Sequence, residues 1–268
     1  MLRQRIITAL VLAPLVLVVI FVLPHQAAVA ALALLVLAAA WEWSAFPGFR
    51  AHSARPLYVV IISLGVVGAW TYGAQRSELD VLLYAAVAWW LIALAWIVAS
   101  PGAVNRLTAA AAGALVLIPA WLALSRLHAH GPQLLLFLLL LVVAADIGAY
   151  FTGRRFGKRK LAPKVSPGKT WEGVFGGLAA SAVMASVGVW WFQLEWAPFV
   201  GLCALVVLAS IVGDLTESMF KRHAGLKDSG ALLPGHGGLL DRVDSVTAAA
   251  PVFLVGLERL GLLRMSGG

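Results

Sequence analysis

Charged residues are scarce in this sequence. Only 12% of its 268 residues are Asp, Glu, Lys or Arg, whereas 62% are hydrophobic. A soluble globular protein carries about 25% charged residues, so this composition argues against a water-soluble fold. Cysteine is scarcer still, because Cys203 is the only one. A disulfide framework within one chain is therefore excluded.

What is abundant is apolar sequence, in runs long enough to cross a bilayer. The N-terminal run is too long for an ordinary signal peptide and another follows it at once, so it is interpreted as an uncleaved first span. The pattern predicts an all-α polytopic membrane protein with about nine transmembrane helices, near 6–23, 27–46, 57–75, 81–99, 107–127, 133–152, 173–193, 196–213 and 244–263. We divide it into an N-terminal transmembrane region, 1–132, with about five helices, and a C-terminal transmembrane region, 133–268, with about four helices and both long connectors.

The distribution of basic residues predicts the orientation. With the N-terminus in the cytoplasm and nine alternating spans, sixteen of the 20 Lys and Arg residues fall on the cytoplasmic side. This agrees with the positive-inside rule. Both long connectors, 153–172 and 214–243, then lie in the cytoplasm, where they could form one polar site. The basic pI of about 10.2 is accordingly attributed to cytoplasmic loops and anionic ligands rather than to nucleic acid.

The first long loop is rich in glycine and in Lys and Arg. Its basic run from Arg154 to Lys160 is typical either of a topological anchor or of a phosphate-binding segment, and both alternatives stay open. The following sequence SPGKTWE, from Ser166 to Glu172, places Lys169 and Thr170 at a helix start, where backbone N–H groups also bind anions. It is not a Walker A loop, because the GxxxxGK[ST] spacing is absent.

The second loop begins with a polar helical face. Asp214, Glu217, Ser218 and Lys221 are spaced i, i+3, i+4 and i+7, so they share one side of a helix. A carboxylate near the end of a lipid-embedded helix is costly and requires compensation. The compensating group is either a basic neighbour, Lys221 or Arg222, or a bound metal ion.

Further carboxylates can reach the same place. Asp241 and Asp244 are three residues apart and would occupy the first turn of a helix beginning near Leu239, while Asp146 ends the sixth span. Clustered carboxylates without cysteine favour Mg²⁺ over Zn²⁺. His236 lies in a glycine turn, which indicates loop geometry rather than a zinc site. Carboxylates, basic residues and glycine-rich loops together are typical of phosphoryl or nucleotidyl transfer.

The segment SMFKRHAGLKDSGALLPGHGGLLDRVD, from Ser218 to Asp244, resembles the C-terminal motif of the phosphatidate cytidylyltransferases, also called CDP-diacylglycerol synthases. Asp146, Tyr150, Gly153 and Gly157, with the SPGKTWE sequence, are similar to the upstream part of that family's pattern. The resemblance covers about the last 125 residues. The N-terminal spans match the family only in being hydrophobic.

The resemblance implies an enzyme that condenses CTP with phosphatidic acid to give CDP-diacylglycerol and pyrophosphate, with Mg²⁺. It also suggests a second, monovalent cation such as K⁺, a homodimer, and a bacterial-type cytoplasmic (inner) membrane location with the site facing the cytoplasm. The nearest alternative is a CTP-dependent lipid-alcohol kinase, which would yield CDP. An ion-coupled transporter is the alternative of a different class, although transporters place such sites near the bilayer midplane and often in repeated halves.

Roles for individual residues are expected from the matched motifs, together with the helical spacing that adds Asp214. Asp214, Asp241 and Asp244 are the expected Mg²⁺ ligands, and the glycines allow close backbone approach. The expected catalytic residues are Asp214, Lys221, Arg222, Lys227, Asp241, Arg242 and Asp244. The expected substrate-binding residues are Asp146, Lys169, Thr170, Glu172, Ser218, Asp228, Gly235, His236, Gly237 and Gly238. For Asp228, binding of the cytidine and capping of a turn remain equal alternatives.

Overall fold

The structure is a computed structural model that describes residues 2–48, 54–73, 80–232, 235 and 237–265. The described residues form nine α-helices and one short β-hairpin, so the all-α prediction is confirmed with a small addition. The helices are α1 Leu2–Phe21, α2 His25–Trp43, α3 Ala54–Gly73, α4 Asp80–Ala99, α5 Arg106–His130, α6 Pro132–Phe156, α7 Trp171–Phe192, α8 Trp196–His223 and α9 Leu240–Arg259.

Seven of these helices, α2 to α8, are long and apolar enough to cross a membrane. The protein is therefore a polytopic membrane protein. In α1 the shorter stretch Leu10–Phe21 is apolar. Helix α9 is not among the seven, since acidic and basic side chains occupy both of its ends.

Helix α8 is longer than the sequence pattern predicts. It continues to His223 rather than ending at 213, and its 28 residues span about 42 Å. The hydrocarbon core of a bilayer is only about 30 Å thick. Helix α8 is thus longer than a straight span requires, and Asp214 to Lys221 lie in its last turns. Since α9 begins at Leu240, the connector between the two helices runs from 224 to 239 and is shorter than the predicted 214–243.

Helices α6 and α7 pack closely against each other, and glycine makes this close approach possible. A Cβ atom at Gly148 would lie 2.6 Å from the carbonyl oxygen of Gly176, so only glycine fits there. The connector between these helices forms an antiparallel hairpin of β1, Lys160–Ala162, and β2, Ser166–Thr170. This hairpin places Lys169 beside Asp214 of α8 and near Asp146, which lies within α6 rather than at its end.

Aromatic side chains fill the interior between the helices. Phe137, Phe199 and Phe253 bring α6, α8 and α9 together, with ring centroids 5.4 Å apart for Phe137 and Phe199. Near the end of α8, the Phe220 ring lies 5.3 Å from Trp43 of α2 and 5.9 Å from Trp96 of α4. At Phe220 the last turns of α8 therefore pack against α2 and α4.

Candidate functional site

Four acidic side chains converge between α6, α8 and α9. Asp214 and Glu217 come from α8, Asp244 from the first turns of α9, and Asp146 from α6; we call these four residues the acidic cluster. The carboxyl group of Asp244 interacts with those of Asp214 and Glu217, and the carboxyl group of Asp146 interacts with that of Asp214. The predicted approach of Asp244 to Asp214 across the connector is thus present in the structure.

Lys169 offsets part of this negative charge. Its Nζ atom lies 2.5 Å from Oδ2 of Asp214, and it also interacts with Asp146 and Asp244. Both side chains of the pair remain partly exposed, at 26% for Lys169 and 30% for Asp214. On the next turn, the hydroxyl of Ser218 donates a hydrogen bond of 3.3 Å to Oδ1 of Asp214. A ligand phosphate could therefore reach the Lys169 ammonium and replace Asp214 as its partner.

Lys221 links α8 to α9 in a more enclosed position. Its ammonium lies 2.6 Å from Oδ1 of Asp241 and 3.2 Å from Oε1 of Glu217. The exposed fractions are 9% for Lys221, 8% for Asp241 and 2% for Glu217. The sequence placed Glu217 on the polar face of α8 but assigned it no role, whereas the structure places it between Lys221 and Asp244.

Asp241 accepts three hydrogen bonds through its two carboxylate oxygens. While Oδ1 binds Lys221, Oδ2 accepts bonds from the backbone N–H groups of Ser229, at 3.0 Å, and Gly238, at 2.9 Å. Burial by itself would raise the pKa of this carboxyl group. The Lys221 ammonium and the two N–H donors outweigh burial and hold the pKa of Asp241 below its usual value. As a carboxylate, Asp241 therefore holds the connector at Ser229 and Gly238 and joins it to Lys221 of α8.

The chemistry of the acidic cluster fits a hard cation. Among the described residues, no three His, Cys, Asp or Glu side chains already have a geometry that could hold a metal ion. Nevertheless, both Glu217 oxygens are buried without a properly aligned hydrogen bond, and its carboxyl group lies close to that of Asp244. Two adjacent buried carboxylates require a proton or a cation between them. Mg²⁺ commonly uses one or two protein carboxylates and takes its other ligands from water and substrate phosphates.

An apolar cavity of about 570 Å³ leads to this charged region. Aliphatic side chains of α1 and α6 form one wall, among them Leu12 and Val143. Asp146, Arg242 and Asp244 lie at its polar end. A cavity with this lining suits a molecule that has both a hydrocarbon chain and a charged group.

Several residues predicted from the upstream motif stabilise the hairpin and the start of α7. The Thr170 hydroxyl accepts a bond of 3.1 Å from the Gly173 N–H, which makes Thr170 the N-cap of α7. The Glu172 carboxylate accepts the backbone N–H of Arg159 at 3.2 Å. Of the SPGKT residues, Lys169 is the one whose side chain reaches the acidic cluster.

Of the predicted residues at the end of α8 and in the connector, some make contacts within the protein and others are exposed to solvent. Arg222 donates to the carbonyl oxygens of Leu226, at 3.1 Å, and Val165, at 3.4 Å, so it joins the connector to the hairpin. Lys227 and Asp228 are exposed to solvent. Gly235 and Gly237 have φ values of 77° and 80°, a conformation that favours glycine. The prediction for His236 lies outside the described residues.

Glu42 lies next to the site, and no role for it was predicted from the sequence. It is 2% exposed, near the end of α2, and accepts bonds from Ser229, Leu239 and Leu240 of the connector and α9. An acidic residue inside the apolar run 27–46 was the available signal, since such a group is expensive unless it is bonded. Nothing in the local sequence indicates its partners, which are 187 to 198 residues away.

Comparison with known proteins gives a consistent result. The model of the cytidylyltransferase family matches residues 3–259. The chain is 47% identical to a phosphatidate cytidylyltransferase of Pseudomonas aeruginosa, over 94% of this chain and 96% of that protein. It is 41% identical to a phosphatidate cytidylyltransferase of Haemophilus influenzae, over 94% and 97% of the two chains. With the family match extending through the N-terminal helices as well as the motif, this chain belongs to the cytidylyltransferase family.

Proposed function

We propose that this protein transfers the cytidylyl group of CTP to phosphatidic acid, forming CDP-diacylglycerol and releasing pyrophosphate. The observation that carries the proposal is the near full-length similarity to relatives named phosphatidate cytidylyltransferase. The site adds a physical reason, because an apolar cavity ends at a cluster of charged groups. This arrangement suits a lipid phosphate that meets a water-soluble nucleotide.

The reaction needs positioning and charge neutralisation more than covalent help from the protein. A phosphate oxygen of phosphatidic acid attacks the α-phosphorus of CTP, a new P–O bond forms, and the bond to the departing pyrophosphate breaks. The lipid phosphate is already an anion at neutral pH, so no strong general base is required. Lys169 would leave Asp214 to bind a substrate phosphate. The other phosphate-binding cations of the proposal are Lys221, Arg222, Lys227 and Arg242.

Asp214, Asp241 and Asp244 are the proposed Mg²⁺ ligands. Bound there, the ion would neutralise negative charge on the nucleotide phosphates. The carboxylates of Asp214 and Asp244 face the same space, while Asp241 would have to exchange its bond with Lys221 to join them. A second, monovalent cation such as K⁺ would occupy the same region. Asp146, Thr170, Glu172 and Ser218 complete the binding residues, together with the connector residues Asp228, Gly235, His236, Gly237 and Gly238.

We further propose nine membrane spans, with the N-terminus, the hairpin and the connector in the cytoplasm. The basic residues near both connectors support this orientation through the positive-inside rule. The location would be a bacterial-type inner membrane, since the similar proteins are bacterial. A homodimer remains part of the proposal on the strength of the family resemblance.

The test is product analysis with purified protein in detergent. We expect pyrophosphate and CDP-diacylglycerol from CTP only when phosphatidic acid and Mg²⁺ are both present, and EDTA should abolish turnover. Formation of CDP from CTP and a lipid alcohol would instead identify a kinase. Absence of nucleotide turnover with reconstituted ion flux would identify a transporter.

Asp214→Asn is the preferred active-site variant, because Asp241 also holds the connector in place. It should lower kcat at least about 100-fold while the protein elutes as a folded species. Glu195→Gln, at the opposite end of α8, is the matched control and should retain activity. Full activity of Asp214→Asn would refute the metal assignment.

A further inference from the structure

Glu42 connects the N-terminal helices to the polar connector. Its Oε2 atom accepts the Ser229 hydroxyl at 2.9 Å and the Leu240 N–H at 2.8 Å, while Oε1 accepts the Leu239 N–H at 3.1 Å. One carboxylate in α2 therefore binds both ends of the segment 229–240. A buried carboxylate with three donors is well compensated, so its burial does not require a metal ion.

The bonds from Glu42 replace a missing helix cap. The first N–H groups of a helix have no partner within the helix and need an external acceptor. Leu239, at the N-cap position of α9, has a side chain that cannot accept a hydrogen bond. Glu42 supplies the acceptor from α2, and its negative charge at the helix N-terminus is also favourable. Glu42 thus contacts the start of the helix that carries Asp241 and Asp244.

Two glycines of the connector, Gly230 and Gly238, pack directly against the Glu42 carboxylate. A Cβ atom at Gly230 would collide with Oε1 of Glu42, and one at Gly238 would lie 2.6 Å from Oε2. Gly238 also donates its N–H to Asp241, whose other oxygen binds Lys221. Glu42 and Asp241 thus bind the same two stretches of chain, at Ser229 and at 238–240.

We propose that Glu42 is a positioning residue that sets the geometry of the connector and of the first turn of α9 for cytidylyl transfer. It acts through Ser229, Leu239 and Leu240 and contacts no substrate. This inference rests on the proposed function for its catalytic consequence, whereas its structural consequence can be measured independently.

The experiment combines kinetics with hydrogen–deuterium exchange on the full-length protein in detergent. Glu42→Gln replaces one of the acceptor oxygens with an amide that donates, so at least one of the three bonds is lost. We expect roughly tenfold faster exchange in peptides covering 229–240, as one hydrogen bond of about 1.4 kcal/mol is lost. We expect kcat to fall at least about tenfold, because small displacements of reacting groups are costly.

Two further variants approach the same contact from the connector. Ser229→Ala removes one donor, and Gly230→Ala pushes a methyl group towards the Glu42 carboxylate. Like Glu42→Gln, both variants should speed exchange at 229–240 and lower kcat. In the double variant Glu42→Gln/Ser229→Ala, the loss of kcat should be smaller than the sum of the two single losses in free energy. Tyr58→Phe is the control: it removes a buried hydroxyl that donates to the Ala110 carbonyl, between α3 and α5, and should leave exchange at 229–240 unchanged.

Faster exchange at 229–240 with reduced kcat and a near-normal unfolding temperature would support the proposal. Reduced kcat with unchanged exchange in that segment would overturn it, as would normal exchange and normal kcat. If Glu42→Gln fails to fold, Ser229→Ala and Gly230→Ala decide the question by the same criteria. An inactive wild-type protein would refute the proposed function, but exchange at 229–240 would still show whether Glu42 holds the connector.

Discussion

Replacing Lys221 with methionine would leave two enclosed carboxylates without their cation. The Lys221 ammonium contacts Asp241 at 2.6 Å and Glu217 at 3.2 Å. Methionine has a similar length and no charge, so it preserves packing against the end of α8. The variant therefore isolates the electrostatic contribution of Lys221.

The magnitude follows from the burial of the three side chains, none of which is more than 9% exposed. Removing one partner of a buried ion pair typically costs about 3–5 kcal/mol, because the remaining charge is desolvated and uncompensated. We expect the free energy of unfolding to fall by about that amount. Adding Glu217→Gln to Lys221→Met should recover part of the loss, since it replaces one of the two carboxyl groups that lose the Lys221 ammonium.

Lys169→Met is the matched comparison. Lys169 is also paired with an α8 carboxylate, Asp214, but this pair is roughly three times more exposed than that of Lys221. Its loss should cost less than about 1 kcal/mol while still lowering activity. Unfolding in detergent, followed by circular dichroism during a denaturant titration, measures both variants. Equal destabilisation by Lys221→Met and Lys169→Met would refute the reasoning.

Two other predictions concern packing and substrate access. Gly213→Ala should lower stability by about 1–3 kcal/mol, because a Cβ there would lie 2.7 Å from the Asp244 carbonyl oxygen, whereas Gly201→Ala meets nothing within 4 Å and should be tolerated. Thermal unfolding tests this pair, and equal unfolding temperatures would contradict it. Val143→Trp should fill part of the cavity between α1 and α6 and raise the KM for phosphatidic acid while that for CTP is unchanged. Val187→Trp, on the exposed face of α7, is its control, and similar kinetics for both would exclude the cavity as the lipid site.

Most of the helical architecture was predictable from the sequence because hydrophobic runs of membrane length are a strong signal. The ends of helices were less predictable. Helix α8 continues to His223 because its polar last turns are stabilised by Lys169 and Asp241, which lie far away in the sequence. Apolarity alone ended the predicted span at 213. The hairpin was missed because SPGKT contains two turn-forming residues within what became a strand of five residues.

The sequence predicted which residues belong to the candidate site better than it predicted which of them form ion pairs with one another. Helical spacing placed Asp214 and Lys221 on one face, and α9 does begin close to the expected position. Spacing could not show that Lys221 binds Asp241 while Lys169 binds Asp214. Those choices depend on how α6, α8 and α9 pack against one another. The assignment of Asp241 as a metal ligand stays a prediction, and its observed bonds give it a structural role as well.

The N-terminal helices contribute more to the site than membrane anchoring. Trp43 and Trp96 pack against Phe220, directly before Lys221 in the sequence, and exclude water from that side of α8. Low local polarity strengthens the ion pair of Lys221 with Glu217 and its hydrogen bond to Asp241. Glu42 also caps α9, so the N-terminal region contributes directly to the structure of the site. The division of the chain into two regions at residue 132 stays a prediction from the sequence. A chain beginning at 133 would lack both the apolar wall behind Lys221 and the acceptor for the first N–H groups of α9.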